Sequence, residues 1–189
     1  MTDTHDDSAC EVAHGTADIP GAVPGAVPGA VSGAVPGDGK VLVAVFATPV
    51  AQFLLRYGSD AGYRPLLVEP DPERAEAARA AGAEVAAELD GLGPAADVVV
   101  TDHHRPELGV MLRDALASPA RWVGIMGNPR HEGPHIAALT ELGVPPAEIS
   151  RVHRPIGINI GSRTPPEIAI ATLAGLIADR NGKPGGFTF

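Results

Sequence analysis

Cysteine and basic side chains are scarce in this 189-residue chain. Its single cysteine, Cys10, excludes an internal disulfide and a zinc site built from thiolates. Lys and Arg total 14 against 23 Asp and Glu, for a formal charge of −9. Nucleic-acid partners require stripes of Lys and Arg that face the phosphates, so this composition argues against a nucleic-acid partner.

Long apolar runs are also missing. No run reaches the roughly 18 residues that a membrane span requires, so we expect no membrane insertion. No Lys or Arg precedes Lys40 and the N-terminal segment has no apolar core, so it does not resemble a secretory signal. Together with the lone cysteine, these features predict a cytoplasmic protein.

Aromatic residues make up 4% of the chain and hydrophobic residues 44%, so the core must consist of Val, Leu, Ile and Ala.

The length fits one domain of about 150 residues plus a tail. Residues 1–39 begin with acidic side chains and continue as Pro-Gly-Ala-Val units from Pro20 to Gly37. Pro and Gly at this density cannot offset the entropy cost of ordering. We therefore expect a disordered N-terminal tail over 1–39, a folded domain over 40–182 and a flexible C-terminus over 183–189.

Apolar runs typical of strands alternate with helical patterns from Lys40 onward. Continuous apolar runs bounded by helices indicate parallel strands that are covered on both faces. We therefore predict an α/β fold, a three-layer doubly wound parallel sheet of the Rossmann-like type, whose ligands bind beyond the carboxyl ends of the strands. Strands are expected at 41–46, 64–69, 83–86, 97–101, 121–126 and 151–152, and helices at 50–59, 71–81, 106–117, 132–142, 145–149 and 165–179.

The segment from 155 to 167 carries the strongest local signal. Thr164 is expected as a helix N-cap, Pro165 as the first helical residue and Glu167 three residues past the cap, which is a capping box with proline at N1. Free N–H groups, the helix dipole and an arginine just before the cap would favour a phosphate or carboxylate. The alternative is an ordinary capped helix with a surface arginine. The candidate anion-binding residues are Gly161, Ser162, Arg163 and Thr164.

The first strand-to-helix turn contains no glycine. Phe46, Thr48 and Ala51 occupy the three glycine positions of the dinucleotide fingerprint G-x-G-x-x-G. Their side chains would meet a pyrophosphate that normally lies against bare backbone, and Pro49 removes one amide donor. Glu69 ends the second strand, where a ribose-binding acid is expected. Dinucleotide binding in the usual pose is disfavoured, but Glu69 is a candidate cofactor-binding residue.

Two further strand ends carry polar groups. Thr101-Asp102-His103-His104 closes the fourth strand, where a carboxylate and imidazoles suit acid–base chemistry or metal ligation. The alternative is a polar loop in which the aspartate caps the next turn. The segment that closes the fifth strand offers a helix cap and a second anion contact, so that two helix starts would face one crevice. The candidates at these strand ends are Asp102, His103, Gly124, Gly127, Asn128 (the cap) and Arg130 (the anion contact).

His131-Glu-Gly-Pro-His135 matches the zinc-protease pattern H-E-x-x-H, which needs an unbroken helix to place both imidazoles on one face. Gly133 and Pro134 lie between the histidines, and proline in a helix interior costs about 3 kcal/mol. We therefore expect the irregular first turn of a helix and no metal site.

The chain also lacks the phosphate loop G-x-x-x-x-G-K-[ST] and the hydrolase motif G-x-S-x-G, so it gives no sign of nucleotide or serine hydrolase chemistry.

Four stretches, 41–51, 97–104, 121–130 and above all 155–169, resemble the C-terminal Rossmann domain of the xanthine dehydrogenase accessory protein family, XdhC/CoxI. The resemblance implies a non-enzymatic factor that binds molybdenum cofactor, supports its sulfuration and passes it to a molybdenum hydroxylase of the xanthine dehydrogenase or CO dehydrogenase type. It also implies a separately encoded N-terminal domain as a partner, and a homodimer is considered. Three places differ from the family pattern: the glycine-rich first turn at 46–51, the Thr-His-Asp at 101–104 and the Gly-Ser-Arg-Arg at 127–130.

Three functions follow from these observations. In the first, an accessory protein holds the phosphate of a pterin or nucleotide with Arg130, Gly161, Arg163 and Thr164, while Glu69, Asp102 and His103 line the rest of the crevice. Molybdenum cofactor is the ligand that the resemblance implies, with NAD(P) or AMP as further candidates. The second function, an NAD(P)-dependent oxidoreductase, rests on the fold, which does not fix function. The third is a degenerate scaffold domain that binds a partner.

Overall fold

The computed structural model describes residues 39–127 and 133–186. Some predictions lie outside the described residues. They are those for 1–38, for 128–132 (which includes Asn128 and Arg130) and for 187–189. Elsewhere the predicted alternation of strands and helices is confirmed. The strands are β1 (Val41–Val45), β2 (Arg64–Val68), β3 (Val85–Ala86), β4 (Ala96–Val100), β5 (Trp122–Ile125) and β6 (Val152–His153), and the helices are α1 (Pro49–Asp60), α2 (Pro72–Ala80), α3 (Leu108–Ala117), α4 (Pro134–Glu141), α5 (Pro146–Ile149) and α6 (Pro165–Arg180).

The strands of the described chain form one parallel sheet in the order β3-β2-β1-β4-β5-β6. The chain runs outward from β1 to β3, then crosses back to β4 and runs outward to β6. The predicted doubly wound, Rossmann-like sheet is thereby confirmed. The strand order reverses between β1 and β4, and the crevice beyond the carboxyl ends of those strands is where such sheets bind ligands.

Helices cover both faces of this sheet because successive strand residues point to opposite sides. In β1, Val43 and Val45 pack in the cluster that contains α3 and α4. Leu42 and Ala44 pack in the cluster that contains α1 and α6 on the other face. The structure therefore has the three predicted layers around an aliphatic core. Within the described ranges, no helix combines the length and the apolar character needed to cross a bilayer.

Short-range capping fixes where the helices begin. Thr48 Oγ1 accepts a hydrogen bond from the Ala51 N–H at 3.0 Å at the start of α1. Asp71 Oδ1 accepts from the N–H groups of Glu73 and Arg74 at 3.0 Å each, and these bonds lower the pKa of the Asp71 carboxyl. Asp71 is the N-cap of α2, and proline occupies the first helical position.

A buried carboxylate holds the amino-terminal edge of the sheet together. Asp97 in β4 is fully buried and accepts hydrogen bonds from Arg121 Nε at 2.8 Å and Arg180 Nε at 2.7 Å. Arg180 also donates to the carbonyl oxygen of Ala95 at 2.6 Å, and Arg121 pairs with Asp179. These contacts fix the end of α6 at this edge, so α6 begins at the opposite, carboxyl edge, where the crevice lies.

We expect Asp97→Ala to lower the free energy of unfolding by about 3–5 kcal/mol, because it removes the carboxylate partner of Arg180 and one of the two carboxylate partners of Arg121. Urea denaturation followed by circular dichroism measures the change. Asp179→Ala, which removes the exposed partner of Arg121, is the control and should cost less than about 1 kcal/mol. An Asp97→Ala variant as stable as the parent would contradict the role assigned to this carboxylate.

Candidate functional site

Two buried threonines join the loops at the point where the strand order reverses. Thr48 Oγ1 donates to Thr101 Oγ1 at 3.0 Å. Thr101 Oγ1 in turn lies 2.9 and 3.0 Å from the carbonyl oxygens of Val45 and Phe46. Both threonine side chains are buried, so these hydroxyls hold the loops after β1 and β4 to each other.

Phe46 stands at the first glycine position of the dinucleotide fingerprint, and its backbone has a conformation that is typical of glycine. Its φ is +75°, in the left-handed region, and its ring is fully buried. A residue with a side chain is held in this region at a cost of order 1–3 kcal/mol. The turn thus keeps the conformation of a glycine but carries a ring in place of open space. The start of α1 beside it is already capped by the Thr48 hydroxyl, and Pro49 offers no N–H.

Glu69, predicted as a ribose-binding acid, is fully buried and both of its oxygens are engaged. Oε2 accepts a hydrogen bond from the Ala47 N–H at 2.7 Å, and Oε1 accepts one from the Asp71 N–H at 3.0 Å. Arg105 Nη2 donates to Oε1 at 3.1 Å, which forms an ion pair across 36 residues of sequence. The carboxylate therefore ties the end of β2 to the β1 turn and to the loop after β4.

Arg105 is a residue of this edge that sequence reasoning missed. Its side chain is only 10% exposed, and its Cζ lies 4.8 Å from the centroid of the Phe46 ring. Its Nε also lies 3.2 Å from Glu107 Oε2. Burial opposes the charge of Arg105, but the bonds to Glu107 and Glu69 outweigh it and raise the guanidinium pKa, while the same contact lowers the pKa of Glu107. A cation after the fourth strand, facing an acid after the second, is the signal that could have revealed it.

The loop after β4 places Asp102, His103 and His104 together. Asp102 is buried and its Oδ1 accepts a hydrogen bond from the His104 N–H at 2.9 Å. This is the turn-capping role considered as the alternative for this aspartate. The two imidazole rings lie 4.0 Å apart between centroids. Across 39–127 and 133–186, no group of three or more His, Cys, Asp and Glu side chains is placed to hold a metal ion.

The two predicted glycines of the β5 segment have different surroundings. A Cβ on Gly124 would lie 2.2 Å from the Trp122 ring, so this glycine serves the packing of the sheet. A Cβ on Gly127 would lie 3.0 Å from Arg154 Nε. Arg154 follows β6 and therefore brings a second cation to the carboxyl edge, which sequence reasoning also missed. Its position directly after the last strand is the signal that could have identified it.

The helix predicted over 132–142 begins within two residues of its expected start, and the cap predicted at Asn128 lies outside the described residues. In the described residues α4 starts at Pro134, with Gly133 as its N-cap and no side-chain cap. His135 therefore lies in the first turn of α4, and the interrupted H-E-x-x-H segment does not form one continuous helix through Gly133 and Pro134. The proposed convergence of two helix starts depends on Asn128 and Arg130 and stays a prediction.

The predicted capping box at the start of α6 is confirmed. Glu167 Oε2 accepts hydrogen bonds from the N–H groups of Arg163 at 2.9 Å and Thr164 at 3.1 Å. These bonds lower the pKa of the exposed Glu167 carboxyl. The local sequence thus specifies this helix start without help from distant contacts.

The expectation of free N–H groups at this start is wrong. Pro165 and Pro166 have no N–H, the Glu167 N–H is bonded within the capping box, and the Ile168 N–H donates to the Thr164 carbonyl oxygen at 2.9 Å. The contribution left to an anion comes from the helix dipole and the exposed Arg163 side chain.

The loop before α6 rests directly on that helix. Gly157 has φ +82°, and a Cβ there would lie 2.9 Å from backbone atoms of Ala171. A Cβ on Gly175 would lie 2.8 Å from the Gly157 Cα, and the Ile158 N–H donates to the Ala171 carbonyl oxygen at 3.0 Å. Gly161, further along, has φ +69° and open space around it. The glycines therefore serve backbone contact at 157 and a left-handed turn at 161.

A groove of about 680 Å³ runs along α3, where residues 87–95 connect β3 to β4 without a helix. Residues 87–92 form one wall and one side of α3 forms the other. None of the described candidate residues lines it. The predicted site is thus an open edge of the sheet, separate from this groove.

The sequence profile of the XdhC Rossmann domain matches residues 42–176, which covers most of the chain and every described candidate residue. This chain belongs to the XdhC family.

Two relatives of this XdhC domain extend the comparison. Uncharacterized protein YqeB of Escherichia coli K12 is 39% identical over 71 residues, which cover 38% of this chain and 13% of YqeB. A crystal structure of a Bacillus halodurans protein described as a xanthine dehydrogenase matches with a TM-score of 0.61 at 22% identity, over 76% of this chain and 45% of that chain. At that identity the match shows the fold. The XdhC domain spans less than half of either relative.

His135 of the XdhC domain gives a pH-dependent prediction. It is buried, its Nδ1 has no hydrogen-bond partner within the described ranges, and burial together with Arg154 lowers the pKa of the imidazole below 6.5. The unfolded chain then takes up the proton at higher pH than the folded protein. This contribution to stability is present above about pH 6.5 and is lost as the pH falls through the folded pKa.

We therefore expect His135→Leu to lose less stability than the parent between about pH 7.5 and about pH 5.5, because the variant has no imidazole to protonate. Urea denaturation at the two pH values measures the difference. His153→Gln, which removes an exposed histidine on β6 and leaves His135 in place, is the matched control. Equal pH dependence in the parent and His135→Leu would contradict the assignment.

Proposed function

We propose that this XdhC-family domain is a non-enzymatic accessory factor for a molybdenum hydroxylase of the xanthine dehydrogenase or CO dehydrogenase type. In this proposal it binds the phosphate of molybdenum cofactor and passes the cofactor to the hydroxylase in the cytoplasm. The observation that carries the proposal is the capped start of α6, with Gly161, Ser162, Arg163 and Thr164 at the carboxyl edge of a sheet of this family.

Two arginines support a phosphate site on the β6 side of this edge. Arg163 is exposed just before the cap of α6, where the helix dipole favours an anion. Arg154 follows β6 and lies against Gly127. A guanidinium offers a planar fork of donors that matches phosphate oxygens, and such charge-assisted bonds are stronger than neutral ones. In a chain of net charge −9, an arginine after β6 and another just before the cap of α6 favour an anionic ligand on this side.

The oxidoreductase alternative has less support. Phe46 stands in the first glycine position with its ring buried, and Glu69 is already bonded to Arg105 and to backbone N–H groups. The usual contacts of NAD(P) with the first turn and with the ribose-binding acid therefore have no counterpart here. A scaffold domain that binds its client without a cofactor is the other alternative. Cofactor binding distinguishes it from the accessory factor.

We expect Arg163→Ala to weaken binding of molybdenum cofactor by about 10- to 150-fold, since the loss of one charge-assisted hydrogen bond costs about 1.5–3 kcal/mol. Thermal-shift titration under anaerobic conditions, with cofactor released from a purified hydroxylase, measures the affinity because a ligand of the folded state raises the melting temperature. Arg56→Ala, an exposed arginine on α1, is the matched control.

Activation of the apo hydroxylase is the second readout. The parent protein preloaded with cofactor should restore hydroxylase activity, and Arg163→Ala should restore less at the same concentration. Activation without any cofactor-dependent thermal shift would favour the scaffold function. Unchanged cofactor affinity in both Arg163→Ala and Arg154→Ala would exclude a phosphate site on the β6 side.

A further inference from the structure

We propose that Phe46 and Arg105 are specificity-determining residues that close the adenosine side of the crevice. Adenine nucleotides are thereby excluded from the pose they take in dinucleotide-binding folds, and ligand binding is confined to the β4–β6 side. The second half of this inference rests on the proposed function. The first half stands on contacts around β1 and β2 and is tested with different ligands.

Glu69 has hydrogen-bond donors against both of its carboxylate oxygens. An ionised carboxylate offers about four lone-pair sites. Here the N–H groups of Ala47 and Asp71 and the guanidinium of Arg105 occupy both oxygens, with Arg105 Nη1 at 3.5 Å from Oε2 and Nη2 at 3.1 Å from Oε1. The acid that would receive ribose hydroxyls in a dinucleotide-binding fold therefore has no site left for them.

The Arg105 side chain occupies the space above the β1 turn. Arg105 reaches from the loop after β4 to Glu69 at the end of β2, and its guanidinium covers the Phe46 ring at 4.8 Å. Glu107 holds the same guanidinium through Nε and Nη2. Two carboxylates and an aromatic ring thus fix this side chain across the position where a bound adenosine would lie.

The ion pair with Glu69 keeps Arg105 in place over the Phe46 ring, and we call these two side chains the cover of the β1 turn. The Glu69 side chain has no exposed surface, so moving Arg105 aside would leave a buried carboxylate without its cation. Breaking such a pair by displacing one partner is strongly unfavourable. A nucleotide would have to compensate for that loss through its own contacts, and a ribose hydroxyl carries no charge with which to do so.

Phe46 contributes a buried ring at a position whose backbone conformation suits glycine. Its φ of +75° is a conformation that glycine adopts freely, so Phe46→Gly would retain the turn, remove the ring and relieve the unfavourable backbone conformation. Phe46→Gly thus removes a buried ring from beside the guanidinium and leaves both carboxylate partners of Arg105 in place, whereas Arg105→Ala removes the cation that pairs with Glu69. The two variants address separate parts of the cover.

The test is isothermal titration with ADP-ribose, which carries the adenosine and the pyrophosphate of a dinucleotide. We expect no detectable binding by the parent at millimolar ligand, and a gain of at least about tenfold in affinity in the Phe46→Gly/Arg105→Ala double variant. Phe46→Gly alone should show a smaller gain and keeps the test valid if the double variant does not fold. Arg113→Ala, an exposed arginine on α3, is the matched control and should behave like the parent.

Each outcome decides the inference. ADP-ribose binding by the parent would overturn it, and so would folded Phe46→Gly and double variants that still do not bind. A gain that appears in the variants and not in Arg113→Ala supports it. Molybdenum-cofactor binding by the parent is scored separately, because failure of the proposed function would leave the ADP-ribose result unchanged.

Discussion

A sheet covered on both faces can hold charged groups only where its strands end, and this constraint organises the whole domain. Two buried carboxylates occupy the two edges, each neutralised by arginine. At the amino edge Asp97 joins β4 to the end of α6. At the carboxyl edge Glu69 joins β2 to the β1 turn and to the loop after β4. The contacts of Asp97 set the direction of α6, and the contacts of Glu69 hold Arg105 over the β1 turn.

The fold could be predicted from the sequence because its signals are local. Apolar strands, a proline at the start of most helices and the Thr164–Glu167 spacing act within a few residues, so the predicted elements agree with the observed ones to within about two residues over the described chain. The site could be predicted only in part. The bond between Glu69 and Arg105 links loops 36 residues apart, and no local pattern announces it. The expectation of free N–H groups at the start of α6 was wrong, because the two prolines have no N–H and the N–H of Glu167 is bonded within the capping box.

Membership of the XdhC family and the closed β1 turn are compatible because they concern different sides of the same edge. The profile match runs through both, yet the capped start of α6 keeps its predicted geometry while the first turn carries Phe46 in a glycine conformation. One fold can therefore keep a capped helix start at one strand end and change the side chains at another. Function in such folds resides in the residues at the strand ends rather than in the sheet.

The contact of Gly157 with Gly175 determines how the loop before α6 can move. Backbone touches backbone there, with no side chain between them that could change rotamer, so the loop cannot swing as an independent lid. It can move only together with α6, a rigid rod of 16 residues, about 24 Å long, whose far end is bonded to Asp97. A displacement of this loop is therefore coupled through α6 to the Asp97 contacts at the other edge of the sheet.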